Sequence, residues 1–372
     1  MDETPRDLTG ATAVVEAFGL PPGVDAAEHL AGVLEPFRGE RLLVLTHRSP
    51  DPDALGAMLG VSTLLEKAWG IDSRMAAVGR IFRAENVAMV EELGFDLENY
   101  KNLKGGDFAG AILVDSQPTF GHTELFEGVP LLACLDHHRP TDPDKVPQTV
   151  PHFDVRLGVG STSSMVYEYL KHTGVALDQR TATALCCGVR FDTADLSVGA
   201  TPLDQEAFFE CFRLADRPML SRITRPPLPA DYYRELHRSL SRARRVGPLV
   251  YGLLGRVSNP ESVAEMADLF LRMEGARWSL VGGAFEDKYH LSLRTAVDMP
   301  DAYARMEAIV DGEGSFGGRG SVAGGQIQLE NVEDKTIRAL ERRLRTRAVK
   351  LVDPDDLDGN DPRMGTRLTR LS

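Results

Sequence analysis

Short apolar runs alternate along this chain with longer stretches in which apolar side chains recur every three or four positions. RLLVLT (41–46) reads as a buried strand. The stretch after it, DALGAMLGVSTLLEKAWG, puts Leu55, Met58, Leu59, Val61, Leu65 and Ala68 on a helical stripe, with Asp53 at the N-cap position. The alternation returns in SRMAAVG (73–79) before AENVAMVEELG, and AGAILVD (109–115) and PLLACLD (130–136) are two further strands. Strand followed by helix, repeated, implies a parallel sheet flanked by helices. Residues 213–247 read as a linker, with Pro218, Pro226, Pro227 and Pro229, followed by a helix. A second α/β pattern begins at GPLVYGLLGRV (strand) and ESVAEMADLFLRM (helix). WSLVGGAFEDKYHLSLRT then reads as two strands turning at Glu286–Lys288. GSFGGRGSVAGGQIQL (314–329) is a glycine-rich stretch, and EDKTIRALERRLRTRAVKL (333–351) a basic helix. The expected organisation is an arm at 1–37, an N-terminal α/β domain at 38–212, the linker and helix at 213–247, a smaller C-terminal α/β domain at 248–332, and a basic helix with polar tail at 333–372.

Composition narrows the class. Of 372 residues, 42% are hydrophobic and 26% charged, as in ordinary globular proteins. No apolar run reaches the roughly 18 residues a membrane span needs, and the acidic start MDETPRDLTG has no secretory apolar core. Cys134, Cys186, Cys187 and Cys211 lie in or near apolar stretches without a CxxC spacing, so they read as buried, reduced thiols of a cytoplasmic protein. A formal net charge of −13 argues against wrapping long nucleic acid, which requires phosphate neutralisation, but leaves room for a short anionic ligand.

The candidate chemistry lies at strand ends. Three strands run into loops rich in acids or histidines: THRSPDPD (46–53), VDSQP (114–118) and LDHHRP (135–140). Ligands of open α/β sheets bind at the carboxyl edge, where consecutive parallel strands bring such loops together. His47, Asp51, Asp53, Asp115, Asp136, His137, His138 and Asp192 in GVRFDT put five carboxylates and three imidazoles at that edge. Their mutual repulsion calls for divalent cations. Oxygen and imidazole donors without thiolate suit manganese, and magnesium less well. One carboxylate between two ions about 3.5–4 Å apart would bridge them, an arrangement that serves phosphoester hydrolysis. GVGSTSS opens a helical run in which Ser161 and Thr162 either cap the helix or help hold a phosphate.

HRSPDPDALG, VDSQP, LDHHRP, GSTSS and GVRFDT, in this order, resemble the signature motifs of the DHH phosphoesterase family. SLRT and GGRGSVAGG resemble the C-terminal DHH-associated domain of RecJ-like exonucleases and nanoRNase-type phosphodiesterases, and the likeness spans roughly residues 38–330. It implies a two-manganese centre. His47, Asp51 and Asp115 would hold one ion, Asp53, Asp115, His137 and Asp192 the other, and Asp115 would bridge. His138 would face the scissile phosphate, and Asp136, counted with the catalytic set, would orient an imidazole. Arg294, Gly317, Gly318 and Arg319 would bind the substrate's other end from the smaller domain, with Gly317, Gly318 and Gly324 permitting close backbone approach. The family motif usually reads GGH, and Arg319 departs from it with a fixed charge and a bidentate fork. The implied activity is hydrolysis of oligoribonucleotides a few residues long to nucleoside monophosphates, with 3′-phosphoadenosine 5′-phosphate as a further substrate. The alternatives are a cyclic or linear dinucleotide phosphodiesterase and, in another class, a non-catalytic nucleotide-binding protein. A homodimer is compatible with the sequence, which does not decide it.

Overall fold

The computed structural model describes residues 17–18, 20, 24–140, 149–299, 301–353 and 366–367; most of the expected N-terminal arm and polar tail lie outside them. The chain divides into two units at the proline-rich stretch, residues 1–226 and 227–372.

In chain order the first unit contains β1 (Ala17–Phe18), α1 (Ala26–Leu34), β2 (Arg41–Leu45), α2 (Pro52–Trp69), β3 (Asp72–Ala77), α3 (Ala84–Glu92), β4 (Leu97–Asn99), β5 (Gly110–Val114), β6 (Leu131–Asp136), β7 (His152–Arg156), α4 (Thr162–His172), α5 (Gln179–Asp192), α6 (Pro202–Leu214) and α7 (Arg217–Thr224). The strands form one sheet in the order β1-β7-β6-β5-β2-β3-β4. Six are parallel, and β1 pairs antiparallel with β7. Leu42–Leu45 and Ala111–Val114 are buried throughout, because helices on both faces leave a central parallel strand no wet side. From β2 the chain crosses to β3 on one side, and from β5 it crosses to β6 on the other. The neighbours β2 and β5 therefore flank a topological switch point, the crevice where such sheets bind ligands.

Two expectations for α2 are corrected. Its N-cap is Asp51, whose carboxylate accepts from the amides of Asp53 and Ala54 at 3.0 Å; Pro52 is the first helical residue and Asp53 lies inside the first turn. Nor is its apolar surface a single stripe. Residues from Pro52 to Val61 are all buried, because α2 packs against α4 and α5 as well as the sheet. The four cysteines are buried and unpaired, in agreement with the core reading.

Strand β7 carries a buried polar chain. His152 Nδ1 lies 2.9 Å from His29 Nδ1 on α1, and its Nε2 lies 2.7 Å from the Tyr169 hydroxyl, which donates to Asp154. Burial, only partly opposed by Asp154, lowers the His152 pKa from 6.5 to about 4. Between those values the unfolded chain takes up a proton that the folded chain refuses, so stability falls as pH drops through that window. The full cost is about 3 kcal/mol at 1.36 kcal/mol per pH unit. In urea unfolding followed from pH 7 to 4, His152→Gln is expected to lose most of that acid-sensitive component.

The second unit contains α8 (Ala230–Arg242), β8 (Arg244–Val246), β9 (Leu249–Arg256), α9 (Glu261–Leu271), β10 (Trp278–Phe285), β11 (Lys288–Thr295), α10 (Ala302–Val310), β12 (Ser315–Arg319), β13 (Val322–Gln328), α11 (Asp334–Lys350) and β14 (Thr366–Arg367). Its sheet runs β12-β13-β11-β10-β9-β8-β14. One face packs on α8 and α9 through Val250, Val281, Val263 and Phe270, the other on α10 and α11 through Tyr251, Leu280, Met306 and Leu344. The glycine-rich run is a hairpin of two strands, β12 and β13, with Arg319 paired to Val322 at its tip. The expected glycine role is narrowed. Gly317 and Gly324 are ladder positions without positive φ and with ordinary room for a side chain. At Gly318 a Cβ would collide with the backbone of Val322 and Ala323.

Candidate metal centre

Adjacent strands bring the three loops to one edge. β2 leads to His47 and Asp51, β5 to Asp115, and β6 to Asp136, His137 and His138; Asp192 ends α5. Asp115 turns out of its strand with φ +52°, a left-handed conformation costly for most residues and best tolerated by Asp and Asn. His47, Asp51 and Asp115 form one group of convergent donors, and Asp53, His137 and Asp192 form a second. A third joins Asp115 to His137 and His138, and within each group the donor atoms lie within 4.8 Å of one another.

Each imidazole is held from behind. His47 Nδ1 lies 2.9 Å from the Arg48 carbonyl, which turns Nε2 toward Asp115 Oδ2 at 3.5 Å. His137 Nδ1 lies 3.2 Å from the Val159 carbonyl, which turns Nε2 inward, 3.0 Å from Asp192, 3.8 Å from Asp115 and 3.9 Å from Asp53. That Nε2 is buried and makes no hydrogen bond. A buried nitrogen facing three carboxylates off the hydrogen-bonding direction suits a ligand atom whose partner is a cation. Fixing the second nitrogen of a ligating histidine is the usual way its tautomer is set.

The electrostatics agree with that fit. Burial, then the charges of Asp115 and Asp192, push the Asp51 carboxyl up to about 6, and the same causes raise Asp53 well above the carboxylate range. Burial raises Asp115 as well, but the His47 hydrogen bond and the three imidazoles overcome it and hold Asp115 below its usual value. Burial lowers His47, yet Asp115 and Asp51 lift it to about 10. Without cations the site stores protons on carboxylates and imidazoles together. Oxygen and nitrogen donors, with no thiolate among them, match a hard or borderline divalent ion.

The start of α4 braces the acids. The amides of Thr162 and Ser163 donate to the two Asp53 oxygens at 2.7 and 2.8 Å, and the Thr162 hydroxyl donates to Asp115 at 2.9 Å. Ser161 caps the helix through Ser164. Ser161 and Thr162 are fully buried, so neither hydroxyl is open to solvent. Asp136 is also fully buried and accepts from His138 Nδ1 at 2.9 Å and from Gln117 at 2.6 Å. His138 is the more exposed imidazole of the pair, with 46% of its side chain accessible and Nδ1 as the nitrogen that Asp136 holds.

The motifs missed three contributors. Gln117 ties Asp136 to the His138 carbonyl; its place in VDSQP was visible, its direction was not. His122 stands edge-on to His47 with ring centroids 5.7 Å apart, and no local sequence signal marks it. Gly188 on α5 lets α4 approach, because a Cβ there would meet Ser163 and lie 2.9 Å from Asp53 Oδ1. Gly188→Ala, which changes no donor, is therefore expected to weaken metal binding by about 10- to 100-fold, as loss of ligand support does elsewhere. Manganese titration by calorimetry measures this.

The remaining candidates belong to the second unit. Arg294 is mostly buried, with Nε 2.6 Å from Asp268 and Nη1 2.8 Å from Ser292. Gly317, Gly318 and Arg319 lie on β12.

The model of the DHH family N-terminal domain matches residues 41–189, ending just before Asp192, and that of the DHHA1 domain matches residues 247–346. An uncharacterized protein of Methanocaldococcus jannaschii is 29% identical over 317 residues, covering 84% of this chain and 64% of that protein. A probable manganese-dependent inorganic pyrophosphatase of Streptococcus agalactiae is 28% identical over 155 residues, 41% of this chain and 48% of the relative. The chain thus spans less than two thirds of the length of either relative. The structure of an exopolyphosphatase-related protein from Bacteroides fragilis superposes with a TM-score of 0.68 at 14% identity, over 91% of this chain and 98% of the other, which shows a shared fold. With both domain models matched in order and the DHH loop at the centre of the site, the chain belongs to the DHH family, with a C-terminal DHHA1 domain.

Proposed function

We propose that the chain is a two-metal, manganese-dependent phosphodiesterase that hydrolyses oligoribonucleotides a few residues long to nucleoside monophosphates, with 3′-phosphoadenosine 5′-phosphate as a second substrate. The observation that carries the reading is the position of Asp115, shared between donor groups whose other members come from separate loops. The partial likeness to a pyrophosphatase named as manganese-dependent supports the choice of metal. His47, Asp51 and Asp115 would hold one ion, and Asp53, Asp115, His137 and Asp192 the other. When bound, the ions supply Lewis acidity toward the phosphoryl oxygens and favour deprotonation of water at neutral pH. The protein's own groups do the rest. Thr162 and the α4 amides keep Asp53 and Asp115 in place. Asp136 and Gln117 hold His138 by its Nδ1 and its carbonyl, which leaves Nε2 to donate a proton or hydrogen bond to the phosphate or its leaving oxygen. Burial alone would lower the His138 pKa, but the Asp136 hydrogen bond and then the Asp115 charge raise it, so it is poised as an acid. In the second unit, Arg294, Gly317, Gly318 and Arg319 are assigned to the distal end of the substrate.

The test is incubation with manganese and a 5′-labelled RNA dinucleotide, trinucleotide and 24-mer, beside 3′-phosphoadenosine 5′-phosphate and cyclic di-adenylate. Rapid conversion of only the shortest RNAs to mononucleotides supports the reading. Turnover confined to the cyclic dinucleotide replaces it with a signalling phosphodiesterase.

A further inference from the structure

The second unit contains a cavity of about 590 Å³ bounded by α8, α11 and the C-terminal half of β9. Its charge is opposite to that of the chain as a whole. Seven arginines line it against two carboxylates, Asp334 and Glu341, in a protein of net charge −13. Arg338, Arg342 and Arg345 follow one another on α11 at helical spacing, so they form a row along one face. Arg238 and Arg242 do the same on α8, and Arg256 enters from β9.

Some of these arginines are used by the fold. β8 covers only Leu249–Tyr251 of β9, so the later part of β9 is a sheet edge on that side. Arg242 donates to the Leu254 carbonyl at 2.5 Å, and Glu341 accepts the Gly255 amide at 2.7 Å, which closes that edge against strand addition. Arg256 bonds the Val332 carbonyl and lies 3.3 Å from Asp334. Arg338 and Arg342 on α11 take no part in this. Arg342 is exposed and makes no ion pair among the described residues, and Arg338 has only a 3.5 Å contact with Asp334 at 71% side-chain exposure.

Cations crowded around a concavity repel one another, and the sequence spends arginine here where neutral side chains would also be soluble. The cavity is in the range of small-ligand sites, about 300–1,000 Å³. Asp334 and Glu235 meet part of this charge, and the exposed Arg338 and Arg342, one turn apart, still offer a place for several negative charges close together. Adjacent phosphates provide this, and the planar guanidinium fork matches their oxygens bidentately. We propose that this groove binds an oligophosphate group, carried by a nucleoside polyphosphate or by inorganic polyphosphate, at a site separate from the metal centre.

The experiment uses the full chain in EDTA, which removes any contribution of metal ions to phosphate binding. Calorimetry is run with orthophosphate, tripolyphosphate and ATP at two salt concentrations. The comparison proteins are the Arg338→Ala/Arg342→Ala double variant, altered only at exposed positions, and Asp115→Asn. The expected result is saturable binding of tripolyphosphate, far weaker binding of orthophosphate, and weakening with salt. The double variant should lose about tenfold or more in affinity while Asp115→Asn binds like the parent. ATP binding tighter than tripolyphosphate identifies a nucleotide as the source, and equal affinities identify the phosphate chain alone. No binding by the parent, or equal binding by the double variant with its thermal unfolding unchanged, overturns the proposal. Loss of binding in Asp115→Asn also overturns it, by moving the ligand to the metal centre. None of these outcomes depends on the RNA substrate, so this site and the phosphodiesterase reading fail separately.

Discussion

Asp115→Asn is expected to abolish hydrolysis, with kcat reduced at least about 10³-fold, or about 4 kcal/mol of transition-state stabilisation. The substitution keeps the shape of the side chain and its acceptor for Thr162, but removes the one charge that faces His47, His137 and His138 together. The same charge pushes up the pKa values of Asp51 and Asp53. Asp115 is itself held below its usual pKa by those imidazoles, so the metal-free variant is expected to stay folded with some loss of stability, part of it offset by relief of the repulsion. Circular dichroism and thermal unfolding in EDTA check this half of the prediction, and single-turnover hydrolysis checks the other. A variant that loses activity because it unfolds would show that Asp115 organises the sheet edge rather than the reaction.

Manganese is expected to raise the unfolding temperature, and the rise should depend on pH. Asp51 has a folded pKa of about 6 against 3.8 unfolded, caused by burial and then by Asp115 and Asp192. Its contribution to the metal-free protein is thus fully present below pH 3.8 and is lost as pH rises through 6. Metal binding requires the deprotonated carboxylate, so manganese reverses that loss and gains affinity over the same interval. At one hundred times the dissociation constant, each ion adds about 2.7 kcal/mol, several degrees for a unit of this size. Thermal scans at pH 5 and pH 7.5, with and without manganese, are expected to show a small shift at the lower pH and a large one at the higher. Equal shifts would mean that the acids are not the donors.

Strand and loop identities were legible because they rest on local pattern. The runs before His47, Asp115 and Asp136 are apolar and short, and parallel strands have only one carboxyl edge at which to gather their loops. Asp192 was readable from its motif although it arrives at the end of a helix. What sequence did not disclose depends on approach between distant segments. Asp51 and Asp53 are equivalent N-cap candidates by composition. The choice of Asp51 follows from Asp53 being drawn toward the amides of Thr162 and Ser163, more than a hundred residues on. Gly188 looks like any helical glycine until the Ser163 side chain is placed against it. The hairpin of β12 and β13 was obscured because five glycines among its paired residues and at its tip suppress the usual strand signal.

The most direct test of the central claim is a count of metal ions. The protein is stripped with chelator, reloaded with manganese, passed through a desalting column and assayed by elemental analysis. The account predicts two manganese ions per chain in the parent and fewer in Asp115→Asn, because that carboxylate belongs to the His47 and Asp51 donor group and lies 3.8 Å from His137 Nε2 of the other. A parent chain that retains one ion or none at pH 7.5 would contradict it.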